Sequence, residues 1–161
     1  MLAALMVGGA HSMSAGQQGP DQRRSPPSYV PVDKYDPKRN AAADIEDALA
    51  EARRTGRRVL LEVGGTWCSW CHTLDRFFDQ HPPLLDARER NYVTVKINFS
   101  PENENTKLLN RYPRIPGYPH LFVLDQEGRL LHSQETGNLE AGKSYDLSRF
   151  IQFLKKWSPA K

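Results

Sequence analysis

Cysteine occurs twice in the 161 residues, and both copies lie in the segment Trp67-Cys68-Ser69-Trp70-Cys71. A bridge that serves to staple a fold gains most by closing a long loop, where cross-linking removes more chain entropy. Two intervening residues gain little that way. The spacing suits chemistry better, because thiol–disulfide exchange passes through a mixed disulfide that a second, nearby thiol can resolve. The surroundings point the same way. Val59–Val63 before the motif is apolar except for Glu62 and reads as a buried central strand, and Leu74, Phe77 and Phe78 after it mark a helical stripe. The motif therefore opens a helix, whose positive end stabilises a thiolate and can draw a Cys-x-x-Cys thiol below its free pKa of about 8.5.

The same residues admit other chemistry. Cys68-Ser69-Trp70-Cys71-His72 also satisfies Cys-x-x-Cys-His, the attachment motif for c-type haem, with His72 as proximal ligand. Methionine occurs only at positions 1, 6 and 13, so a second axial ligand would have to come from His81, His120 or His132. The apolar strand before the motif has no role in a small cytochrome. A zinc site from Cys68, Cys71, His72 and His81 is a further reading, weakened because adjacent Cys71 and His72 are poorly disposed to share a tetrahedral ion with Cys68. Asn98-Phe99-Ser100 matches a glycosylation acceptor by sequence alone.

Around the motif, elements alternate. Ile45, Ala48, Leu49 and Ala52 share one helical stripe, with Asn40 as cap and Gly56 as stop. The helix after the cysteines is expected to end at His81-Pro82-Pro83. Val93, Val95 and Ile97 alternate with Tyr92, Thr94 and Lys96 as a strand, and a short helix is expected around Lys107–Tyr112. Leu121–Leu124 and Arg129–Ser133 form a hairpin across Asp125-Gln126-Glu127-Gly128. Leu147, Phe150, Ile151, Leu154 and Trp157 give a last amphipathic helix before Pro159. An additional edge strand near Tyr29–Val32 is weakened by Pro31. Helices alternating with strands predict an α/β fold, a central sheet covered on both faces.

With these residues in place, the chain resembles the thioredoxin superfamily through its Trp-Cys-x-x-Cys motif and the order of elements from about residue 40 to 157. The following His72 makes it similar to bacterial thioredoxin-like domains related to the C-terminal domain of the transmembrane disulfide reductase. The resemblance implies a three-layer α/β/α sandwich with a central mixed sheet. It implies Cys68 as the exposed attacking thiol and Cys71, one turn deeper, as the resolving one. Counting six residues back from Cys68 reaches Glu62, in the place of the family's buried acid, where a carboxyl beside a sulfur can take or give a proton. An uncompensated carboxyl there would cost folding energy; the alternative is a strand Glu facing water. Pro119, in Gly117-Tyr118-Pro119-His120, corresponds to the family's cis-proline, leaving the Tyr118 backbone free to pair with an extended substrate. His120 stands where Thr is frequent. Trp67 corresponds to the tryptophan beside the nucleophile. Ser69 and Trp70 match neither the reducing nor the strongly oxidising variants, so the direction of electron flow stays open. A non-catalytic interaction module of the same fold is the remaining alternative.

Composition bounds the partners. Hydrophobic residues make up 39% and charged residues 25%, the balance of a soluble globular protein. The net charge of +3 is scattered over pairs such as Arg53–Arg54, Arg57–Arg58 and Lys155–Lys156, which forms no nucleic-acid stripe. Gly64–Gly65 precede the dithiol and belong to no phosphate fingerprint, so no cofactor is expected. Electrons are expected from an upstream redox protein or small thiol, with protein or small-molecule disulfides as substrates and a monomeric enzyme. Residues 1–28 read as a leader and 29–161 as the domain. Leu2–Ala10 is too short to span a bilayer but fits a signal-peptide core, although no Lys or Arg precedes it. The expected location is periplasmic or secreted, cytoplasmic if that run is not a signal.

Overall fold

The computed structural model of the chain describes residues 28–160. All but the last residue of the expected leader, and with it the signal-peptide reading, lies outside them. Helix α1 (Ala41–Thr55) begins where the Asn40 side chain accepts the Ala43 N–H at 3.2 Å, satisfying one of the orphan donors of the first turn. It ends at Gly56, whose φ of 72° is the left-handed conformation that glycine adopts without a Cβ penalty. Strand β1 (Arg58–Gly64) follows at once, buried from Val59 onward.

β1 is central because it is flanked on both sides. It pairs in parallel with β2 (Tyr92–Asn98) and antiparallel with β3 (His120–Leu124), which pairs antiparallel with β4 (Leu130–Glu135). The order β2-β1-β3-β4 is a mixed sheet. Side chains alternate between its two faces. Val59, Leu61, Val63, Phe122 and Leu124 pack on α1 and, across the same layer, on Leu108 and Leu109 of α4 (Thr106–Leu109). Leu60, Leu121 and Val123 face the other way. They meet Leu74, Phe77 and Phe78 of α2 (Ser69–Gln80), Leu84 of α3 (Pro82–Asn91), and Phe150, Phe153 and Leu154 of α5 (Leu147–Lys156). Two apolar cores on either side of one sheet make this a three-layer α/β/α sandwich.

Three expectations need correction. The proline pair ends α2 but also begins α3, because Pro82 occupies its first turn, where a missing N–H costs nothing. The Tyr29–Val32 segment contributes a single parallel bridge, Val32 to Val95, and not a strand. Between β4 and α5 the chain forms a 3-10 turn (Thr136–Leu139) and a two-stranded hairpin of β5 (Glu140–Ala141) and β6 (Ser144–Tyr145), none of which was expected. Among the described residues, no helix is long and apolar enough to cross a membrane.

Candidate active site

The end of β1 and the start of α2 meet at the cysteines. Cys68 is the N-cap of α2, and its Sγ accepts the Cys71 N–H at 3.1 Å. The two sulfurs are joined in a disulfide, with Cα atoms 5.2 Å apart. Cys71 is fully enclosed, and Cys68 keeps only 4% of its surface. The exposure expected of the first sulfur is thus slight, because Tyr35 and Tyr118 pack against the bridge.

An aromatic surface adjoins the disulfide. Trp67 is 54% exposed, its ring stands edge-on to Tyr118 at 5.6 Å, and its Nε1 donates to the Phe99 carbonyl at 2.7 Å. Phe99 in turn stacks on Tyr118 at 4.9 Å. The Tyr118–Pro119 peptide bond is cis. A Cβ on Gly65 would run into the Trp67 ring and the Phe99 carbonyl, so this glycine makes room for the indole to lie against the chain.

Glu62 is 1% exposed, not facing water. It shares the face of β1 that carries Leu60, and its register partner on β2 is Lys96. The Glu62 carboxylate accepts the Tyr35 hydroxyl at 2.6 Å, and Lys96 Nζ stands 3.6 Å from the same oxygen. Lys96 also donates to Asp75 of α2 at 2.5 Å. The carboxyl is therefore compensated by a hydroxyl and a nearby positive charge. Tyr35 was missed at the sequence level, although it touches both Glu62 and the space beside Cys71. A Cβ on Gly64 would strike Cys71 Sγ and come within 2.9 Å of the Tyr35 oxygen. Burial, and then the Glu62 charge, hold the Tyr35 hydroxyl well above its ordinary pKa.

The histidines are engaged elsewhere. His72 is exposed and its Nε2 donates to the Thr66 carbonyl at 2.8 Å. His81 Nδ1 donates to the Phe77 carbonyl at 2.7 Å. His120 is 2% exposed; its Nε2 lies 2.8 Å from Ser133 Oγ, and its Nδ1 has no partner among the described residues. Burial, with His132 as a lesser cause, lowers its pKa to about 4. Among the described residues, no three His, Cys, Asp or Glu side chains converge as a metal-ligand group. Asn98 is buried, and its Nδ2 donates to Ser100 Oγ and the Asn103 carbonyl, which leaves no free amide for a glycan.

The thioredoxin-like family model matches residues 40–126. The chain belongs to that family. It is 27% identical over 118 residues to the thiol:disulfide interchange protein DsbD of Pseudomonas fluorescens, covering 72% of this chain and 18% of that protein. It is 28% identical over 141 residues to a protein disulfide-isomerase of Datisca glomerata, covering 83% of this chain and 23% of that one. The chain thus spans less than a quarter of the length of either relative. Among solved structures, a disulphide isomerase from Xylella fastidiosa Temecula1 superposes with a TM-score of 0.65 at 24% identity, over 76% of this chain and 94% of that one. The oxidised C-terminal domain of Neisseria meningitidis DsbD gives 0.55 at 19% identity, over 73% and 96%. These two likenesses establish the fold. This thioredoxin-like domain carries its Cys-x-x-Cys pair as a disulfide at a helix N-terminus.

Proposed function

We propose that the chain is a thiol–disulfide oxidoreductase of the protein-disulfide reductase type, acting through Cys68 and Cys71. The observation that carries this reading is the position of the Cys68 sulfur. It caps α2 and accepts the Cys71 N–H, where a thiolate gains both the helix dipole and a hydrogen bond. In the reduced enzyme, Cys68 Sγ attacks a substrate disulfide and forms a mixed disulfide, and the first substrate thiolate leaves. Cys71 Sγ then attacks Cys68 Sγ, releasing the second substrate thiolate and closing the bridge. The substrate gains two electrons and the dithiol loses them. Glu62 is the acceptor for the Cys71 proton, while Trp67, Tyr118 and Pro119 form the surface on which an extended substrate lies. The names of the sequence relatives support a protein disulfide as substrate; a second redox protein is the electron source.

The haem reading of Cys68-x-x-Cys71-His72 is less well supported, because Cys71 is wholly enclosed and His72 turns to the Thr66 carbonyl. Residues 29–161 are taken as the catalytic domain and 1–28 as a leader that directs a monomeric enzyme to the periplasm or beyond. The test is stoichiometric. Pre-reduced protein mixed with excess insulin should reduce one insulin disulfide per chain and become oxidised itself, and Cys68→Ser should reduce none. Equal insulin reduction by wild type and Cys68→Ser would refute the assignment.

A further inference from the structure

We propose that Tyr35 relays the Cys71 proton to Glu62 during resolution of the mixed disulfide. This inference rests on the oxidoreductase reading above. Tyr35 lies before residues 40–126, outside the segment that the family model matches.

The geometry is specific. The Tyr35 hydroxyl donates to Glu62 at 2.6 Å, so its oxygen keeps lone pairs free to accept. That oxygen and Cys71 Sγ crowd the same point beside the Gly64 Cα, and Tyr35 packs in one cluster with Cys68 and Cys71. The hydroxyl is therefore bonded to the carboxylate and, like Cys71 Sγ, lies close to the Gly64 Cα.

The groups facing Tyr35 come from four elements. Glu62 is on β1, Lys96 on β2 with its Nζ 4.8 Å from the Tyr35 ring centre, Cys71 and Asp75 on α2, and Tyr145 on β6. Tyr35 itself does not ionise at working pH, which is what a relay needs: it gives one proton and receives another.

As Cys71 Sγ attacks Cys68 Sγ, the Cys71 proton passes to the Tyr35 oxygen, and the Tyr35 proton passes to Glu62. The bond between Cys68 and the substrate breaks, and the substrate thiolate leaves with the electron pair. Tyr35 ends unchanged and Glu62 ends protonated. Lys96 bridges Glu62 at 3.6 Å to Asp75 at 2.5 Å. The Asp75 side chain is 41% exposed, so that end of the array meets solvent.

The test uses the reduced full chain and 5,5′-dithiobis(2-nitrobenzoate) in a stopped-flow instrument. The first thionitrobenzoate reports attack by Cys68, at a rate that depends on reagent concentration. The second reports resolution by Cys71 and does not. Tyr35→Phe keeps the ring and removes only the hydroxyl. It should leave the first phase unchanged and slow the second at least about tenfold, at the low end of general-base effects. Without an internal acceptor path, resolution must follow hydroxide, so the rate in Tyr35→Phe should climb about tenfold per pH unit where wild type is nearly flat. Glu62→Gln should show the same slope, and the double variant should be no slower than the slower single one. A tyrosine that merely packs would lower the rate without changing the slope, and that result overturns the proposal. So does a wild-type rate and slope in Tyr35→Phe beside a slow Glu62→Gln, which leaves Glu62 to take the proton directly. Failure of wild type to release even the first thionitrobenzoate would sink both this inference and the oxidoreductase reading.

Discussion

The hydroxyl of Thr136 donates to the carbonyl of Pro119 at 2.6 Å, and both groups are buried. Thr136 opens the 3-10 turn after β4, so this bond ties the late, irregular part of the chain to the loop that faces the cysteines. Removing the donor leaves a buried carbonyl unpaired, which costs about 1–3 kcal/mol. Thr136→Val should lose that much stability in urea unfolding of the oxidised protein, whereas Thr136→Ser should keep most of it. Equal midpoints for Val and wild type would show that the bond contributes nothing.

The two sulfurs should differ in reactivity once reduced. Cys68 caps α2 and keeps a small accessible surface, while Cys71 has none. Brief iodoacetamide treatment followed by peptide mass mapping should find Cys68 labelled at least about ten times faster, as thiolate character and access both favour it. Cys71→Ser should accumulate a mixed disulfide with a disulfide-bearing substrate, and Cys68→Ser should accumulate none. Faster labelling of Cys71 would reverse the two roles.

Gly64 should tolerate no side chain. A methyl there meets Cys71 Sγ and the Tyr35 hydroxyl, and neither atom is the free end of a flexible chain. Gly64→Ala should therefore cost about 1–3 kcal/mol, the usual range for overpacking a filled site. It should also slow resolution more than attack, because Cys71 is displaced and Cys68 is not struck. Thermal unfolding and the two-phase thiol assay together measure this. Unchanged stability would mean that the strand yields at the Gly64 position.

His120 makes stability depend on pH. Its folded pKa is about 4, lowered first by burial, against an ordinary value near 6.5. Between those values the unfolded chain binds a proton that the folded chain does not, so acid favours unfolding. The His120 contribution is fully present above about pH 6.5, is lost progressively as pH falls toward about 4, and amounts to about 3 kcal/mol over the window. The difference in unfolding free energy between wild type and His120→Gln should change by this amount across that window. Parallel curves would remove His120 as the titrating group.

The sandwich was legible because its signals are local. Asn40 and Gly56 bracket α1, period-two apolar residues mark β2, and a strand that is apolar but for Glu62 announces its own central position. That run left Glu62 either buried or facing water, and its partners left no signal at all. Tyr35 sits in an irregular stretch between Pro31 and Pro37, where no period applies, and only the fold brings it across β1. Helix α3 was hidden by Pro82 and Pro83, which end a helix in the interior yet are tolerated in its first turn. The β5–β6 hairpin pairs only Glu140 with Tyr145 and Ala141 with Ser144, too short a run to leave a pattern. Gly64 and Gly65 belonged to no phosphate fingerprint and carried no other role in the sequence. Their use is steric, to admit Cys71, Tyr35 and Trp67.

The most direct measurement is the redox equilibrium of the Cys68–Cys71 pair in glutathione buffers, read by mass after alkylation. A catalytic pair should pass through one reversible two-electron transition within the range that glutathione spans, and Cys68→Ser should abolish it. A bridge that stays closed throughout, as structural disulfides with potentials below about −300 mV do, would contradict the account.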